Sequence, residues 1–167
     1  LQNLRVALRL CEQGEWSVRT VPDVWYLPHT IGKEFVQDSR IYDQLPQWLD
    51  WMPVVTSAQI ARGNDAHAER MEWGLGLEQA EAAQLGFAPQ EPAQLLHLGR
   101  VLEIYCSWEI PAEHGSEKGL YQYCMERARA LNLVPEPVMF RRVFCYTEKG
   151  GTKQVHNVLR VPVKMAE

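Results

Sequence analysis

From Leu4 onward, apolar and polar side chains alternate. Leu4, Val6, Leu8 and Leu10 fall on one side, and Arg5, Ala7, Arg9 and Cys11 on the other. Beyond Gln13-Gly14 the alternation resumes, with Trp16 and Val18 set against Ser17 and Arg19. A period of two predicts a β-hairpin over this stretch. After Pro28 the period lengthens: Ile31, Phe35 and Val36 share a helical face, and Leu45, Trp48 and Trp51 recur at threes until Pro53 ends the run. Ser57 to Gly86 is rich in Ala and Glu and broken at Gly63-Asn64-Asp65 and Gly74-Leu75-Gly76, which predicts two or three short helices. The segment QEPAQLLHLG predicts another short helix.

At Val101 the period returns to two. Leu102, Ile104, Cys106, Trp108 and Ile110 alternate with Glu103, Tyr105, Ser107 and Glu109, the pattern of a half-buried strand. PAEHGSEKG forms a loop, and Ser116 caps a helix over residues 117–131 whose stripe is Leu120, Cys124 and Ala128. Pro135 and Pro137 close that helix. The chain then runs from Val138 to Tyr146, turns through Gly150-Gly151, and returns from Lys153 to Val163. The order predicts one α+β domain over residues 1–167. Its antiparallel sheet combines an N-terminal hairpin with a C-terminal β-α-β-β unit around a central set of short helices. No internal repeat is visible in the sequence.

The stretch EWSVRTVPDVWYLPHTIGKEF also resembles a bacterial helix-turn-helix, with a first helix from Ser17 and a recognition helix from His29 or Thr30. Pro22 would fall inside the first of those helices at a cost of ~3 kcal/mol, and Tyr26 stands where the tight turn wants glycine. The hairpin is the better reading.

The chain of 167 residues is 46% hydrophobic and 23% charged, which suits one globular domain with its own core. No apolar run approaches the ~18 residues that would cross a bilayer, and charges at Arg5, Arg9, Glu12 and Glu15 interrupt any signal-peptide core. A cytoplasmic protein without a membrane partner is expected. Cys11, Cys106, Cys124 and Cys145 include no C-x-x-C pair, and the histidines at 29, 67, 97, 114 and 156 make no metal-binding spacing. No metal or other cofactor is expected. Motifs for a P-loop, a dinucleotide-binding turn and a serine-hydrolase elbow are missing from the sequence.

The net charge of −4 is unevenly spread: residues 1–117 hold eight basic and seventeen acidic side chains, residues 118–167 nine and four. This polarity suggests a basic C-terminal third facing something negative. On the strand through RRVFCYTEKGG, period two places Phe140, Arg142, Phe144 and Tyr146 on one face; as a half-buried hairpin this is the core face with Arg142 snorkelling out at a strand end or sheet edge, the better reading of the face itself, and if open it is the mixture with which sheets stack bases and hold phosphates. The first expectation is therefore a non-enzymatic module contacting DNA or RNA through Arg127, Arg129, Arg141, Arg142, Lys149, Lys153, His156 and Arg160. On the return strand, Val155, Asn157, Leu159, Val161 and Val163 read as the buried face, and Gln154, His156, Val158 and Arg160 as the open one.

Two other classes compete. The acidic part, with Trp48, Asp50, Trp51 and Glu72 as a protein interface, suits an interaction subunit or inhibitor of a basic partner, since Trp is enriched at interface hot spots. An enzyme, either a small nuclease or a cysteine-dependent hydrolase, would be built around His114 or His156. Cys106 or Cys124 would be its nucleophile, and Glu113 and Glu117 are further acid–base candidates.

Overall fold

The computed structural model describes residues 2–63, 71–110 and 119–167. Among the described residues, four helices and ten strands follow one another. The first half runs α1 Gln2–Gln13, β1 Trp16–Thr20, β2 Val24–Ile31, β3 Glu34–Phe35, α2 Ser39–Leu49, β4 Thr56–Arg62 and β5 Glu72–Glu78. The second runs α3 Gln79–Leu85, β6 Gln94–Leu96, β7 Arg100–Ile110, α4 Leu120–Ala130, β8 Leu133–Pro135, β9 Val138–Lys149 and β10 Thr152–Met165. The strands form one sheet in the order β1-β7-β10-β9-β4-β5-β2-β3, with β6 on β2 and β8 on β10. Every pairing is antiparallel. The α+β class with an antiparallel sheet is as the sequence suggests.

Residues 2–13 differ from expectation, being a helix. Leu4, Ala7, Leu8 and Cys11 also fall on one stripe of period 3.6, and Gly14 settles the choice. At φ +63 it closes α1, with Gly14 N–H donating to Cys11 O and Glu15 N–H to Leu10 O, the paired bonds of a left-handed helix cap. Gly86, at φ +65, caps α3 in the same way. The helix-turn-helix alternative also fails, since both of its helices fall on strands β1 and β2.

The centre of the chain differs most, because Ser57–Gly86 supplies two strands and one helix. Gly74 and Gly76, which read as helix punctuation, lie inside β5. A Cβ on Gly74 would run into the Leu27 carbonyl and the Tyr26 ring of β2, so glycine lets these two strands cross closely. The segment 94–96 is likewise a strand, and the expected helix around Ile31 and Phe35 is the β2–β3 hairpin.

This pairing exposes a repeat that the sequence hides. β2-α2-β4-β5 and β7-α4-β9-β10 are both strand, helix, hairpin, and in each the first strand pairs with the last. The two halves join where β4 and β9 pair, from Ser57 opposite Val143 to Arg62 opposite Val138.

Helices α2 and α4 cover one face of the sheet. Leu102, Ile104, Met139, Leu159 and Val161 pack with Cys124 and Ala128 of α4, while Leu27, Leu75 and Leu77 pack with Ile41 and Trp48 of α2. Burying this face is the main stabilising term, at roughly 25 cal/mol per Å² of apolar surface. On the opposite face Val24, Tyr26, Ala58, Ile60 and Phe140 form a smaller cluster. α1 lies across the other half of that face, against β7, β9 and β10. Among the described residues no helix is long and apolar enough to cross a membrane.

Candidate functional site

Between α1 and the start of β4, on the face away from α2 and α4, the sheet carries a cleft of about 430 Å³. One wall is the apolar side of α1, with Leu4, Val6, Ala7 and Leu10; Pro53 and Val54 form the opposite rim. Its floor comes from five strands and is charged: Arg19 of β1, Glu78 of β5, Arg142 of β9 and Arg160 of β10 lie beside Tyr105 of β7 and Phe144 of β9. A smaller space of about 290 Å³ continues under Leu10 to Glu103.

The charges form one chain of contacts. Glu103 accepts a fork from Arg19, Nε to Oε1 at 2.8 Å and Nη2 to Oε2 at 3.0 Å, and a third bond from Arg160 Nε at 2.8 Å. Burial pushes the Glu103 carboxyl up, but the guanidinium groups of Arg19 and Arg160 outweigh it and hold it below the usual carboxylate value. Glu78 Oε1 lies 3.3 Å from Arg142 Nη1 and 3.6 Å from Arg160 Nη2. Arg142 also donates to Thr56 Oγ1 at 2.9 Å and to the Val54 carbonyl at 3.3 Å. Glu81 Oε2 stands 3.9 Å from Arg142 Nη2, and burial raises its pKa.

Two atoms of this network are buried without a hydrogen bond among the described residues: Arg160 Nη1 and Glu81 Oε2. A buried, unmade hydrogen bond costs roughly 1–3 kcal/mol, and more for a charged group. Along the same cleft the Tyr105 and Phe144 rings stack, 6.1 Å between centroids at 10°. Phe144 reaches that position through a β-bulge: Val143 pairs with Asn157 and Cys145 with His156, leaving Phe144 as the extra residue. The alternation expected through Tyr146 therefore breaks at Phe144.

The arginines expected on a nucleic-acid surface are mostly inside. Arg141, Arg142, His156 and Arg160 are no more than 5% exposed, because both faces of β9 and β10 are covered, by α4 on one side and by α1 and the ion network on the other. The side of β10 expected to be open is buried from His156 to Arg160. Arg141 points opposite to Arg142, lying 5.1 and 4.8 Å from the rings of Trp73 and Trp108 and donating to Asn157 Oδ1 and Gln59 Oε1. His156 shares hydrogen bonds of 2.7 Å with Ser107 Oγ and Thr147 Oγ1. Arg129, Lys149 and Lys153 are exposed, and Arg127 is half-buried with its guanidinium 5.7 Å from the Trp16 ring.

Trp48 is core rather than interface: it is fully buried, stacks edge-on against Phe87, and donates its indole N–H to Gln44 Oε1 at 3.0 Å. Asp50 and Trp51 are exposed beyond α2, whereas Glu72 is half-buried with Arg62 at 3.6 Å. Burial pushes the Cys106 and Cys124 thiols up to about 12, which leaves little thiolate for nucleophilic attack near neutrality. His114, Glu113 and Glu117 lie outside the described residues.

No family model matches the chain, and no curated protein matches it in sequence. Among solved structures, the EcmrR C-terminal domain superposes with a TM-score of 0.52 at 12% identity, over 92% of this chain and 99% of that one. A hydrolase from Listeria innocua superposes with a TM-score of 0.50 at 10% identity, over 90% of this chain and 92% of that one. These likenesses are of fold alone.

Proposed function

We propose that this chain is a small-molecule-binding module whose site is the cleft between α1 and the centre of the sheet. The observation that carries this reading is the cleft itself, about 430 Å³ between the apolar side of α1 and a floor that sets the Tyr105–Phe144 stack beside the paired charges of Arg19, Glu78, Arg142 and Arg160. Ligand sites combine an apolar wall with a few fixed polar groups in a volume of about 300–1,000 Å³. The α1 side chains, the Tyr105–Phe144 stack and the network around Glu78 supply that combination. Binding, rather than turnover, is what the network favours, because Glu78 and Glu103 are already held by guanidinium groups.

The test is a saturation-transfer NMR screen of small aromatic molecules, repeated on Val54→Trp, which fills the cleft from its exposed rim, and on Lys153→Ala at the hairpin tip. Binders retained by Lys153→Ala and lost in Val54→Trp support the reading. An absence of binders, or binding indifferent to Val54→Trp, overturns it. DNA and RNA in the same screen address nucleic-acid contact, for which Arg127, Arg129, Lys149 and Lys153 are, of the side chains expected to make it, those at least partly exposed.

A further inference from the structure

Helix α1 is held far more lightly than α2 or α4. Only Ala7 and Cys11 of it are buried, both small, while Leu4, Leu8 and Leu10 are half-buried and Arg5, Arg9 and Glu12 are exposed. No described residue of α1 belongs to a core cluster, whereas α2 contributes Ile41 and Trp48 and α4 contributes Leu120, Cys124, Met125 and Ala128. Its apolar side faces space instead: Leu4, Val6, Ala7 and Leu10 line the cleft, and Leu10, with Arg19 and Tyr105, also lines the smaller space beyond. The sheet beneath is charged, through Arg19, Glu78, Glu103, Arg142 and Arg160, so water entering under α1 solvates ionic groups rather than uncovering an apolar core. A segment with so few buried apolar contacts opens at a small fraction of the global unfolding free energy.

The tether suits such a movement. Gly14, at φ +63 with open space where a Cβ would stand, joins α1 to β1, and just past it the Glu15 carbonyl accepts from Tyr105 N–H at 2.8 Å, which pins the chain to β7. Before the joint, the Cys11 thiol donates to the Asn157 carbonyl of β10 at 3.2 Å and latches the helix to the sheet. Resting on the cleft reading above, we infer that α1 is a lid: it swings about Gly14 to admit an aromatic ligand and closes on it. A molecule in the cleft supplies the packing partners that Leu4, Val6 and Leu10 lack, and its tighter binding under the closed helix shifts the equilibrium toward closure.

Two native thiols test this in the full chain. Cys11 is buried between α1 and β10, and Cys124 between α4 and the sheet. Lifting α1 uncovers the first, whereas the second reacts only when the core opens. Under native conditions at mildly alkaline pH, iodoacetamide should alkylate Cys11 at least about a hundredfold faster than Cys124, followed residue by residue by mass spectrometry. Val54→Trp, which fills the cleft, should slow Cys11 about tenfold or more, and Leu10→Ala should hasten it about fivefold, with Cys124 unchanged in both. Cys11 as slow as Cys124, or a Cys11 rate indifferent to Val54→Trp, overturns the lid and leaves the cleft reading to the saturation-transfer screen. If Val54→Trp also alters Cys124, Leu10→Ala decides, and a wild-type Cys11 rate there overturns the lid. A screen without binders overturns the cleft reading, and the lid with it, whatever the thiol rates.

Discussion

Arg160 donates through Nε to Oε2 of Glu103 at 2.8 Å, and the two side chains are only 4% and 2% exposed. Arg19, reaching in from β1 at the sheet edge, holds the same carboxylate from the other side. The pair fixes three strands to one another and at the same time sets the polarity of the cleft floor.

Glu103→Gln should be strongly destabilising. It leaves the buried Arg160 with only Glu78 at 3.6 Å, and breaking a buried pair on one side costs about 3–5 kcal/mol. Urea unfolding should show a loss near the lower end of that range. The same carboxyl also makes a pH prediction: its folded pKa lies below the unfolded value, so its stabilisation is present above about pH 4.5 and is lost as pH falls through the folded value.

Phe144→Ala should separate binding from stability. The ring is only half-buried and its stack with Tyr105 contributes roughly 0.5–1.5 kcal/mol beyond burial, so the unfolding midpoint moves modestly. Affinity for an aromatic cleft ligand should fall about tenfold or more, read by NMR titration of a binder from the saturation-transfer screen.

His156 should make the fold sensitive to mild acid. Burial lowers its folded pKa from the ordinary 6.5, so the unfolded chain binds the proton more readily. Stability is complete above pH 6.5 and declines as pH falls toward the folded value. His29, lowered by the same cause, adds to the slope. His156→Asn should flatten the decline between pH 7 and 5 in urea unfolding without abolishing it.

Gly74→Ala should cost about 3 kcal/mol, the upper part of the range for overpacking, because the added methyl group meets the Leu27 backbone and the Tyr26 ring. A thermal melt of the variant checks it.

The second half of the chain was readable because its strands are long and its signals agree. Val101–Ile110 and the Gly150-Gly151 turn stand where their patterns put them, while the helix expected over 117–131 is seen over Leu120–Ala130 behind Gly119, its expected cap Ser116 lying outside the described residues. Elsewhere, two periods fitted the same residues. Leu4–Cys11 satisfies both alternation and a 3.6 repeat, and only the left-handed Gly14 distinguishes them. Strands β4 and β5 carry Ala58, Ala61, Gly74 and Gly76 among their stronger strand formers, residues that read as helix or turn and are kept in the sheet by burial. The cleft was hidden for a related reason. Arg142 and Arg160 read as surface cations because nothing local announces that Glu78 and Glu103, from other strands, will meet them inside. Glu103 within VLEI was the available clue, a carboxylate in a strand whose apolar neighbours are buried.

The cleft is tested most directly by backbone-amide chemical-shift mapping of the chain titrated with an aromatic molecule selected in the saturation-transfer screen. A ligand seated in the cleft gives saturable shifts at Thr56, Glu78, Tyr105, Phe144 and Arg160, abolished by Val54→Trp. Shifts gathered instead around Lys149 and Lys153, or none at all, would contradict it.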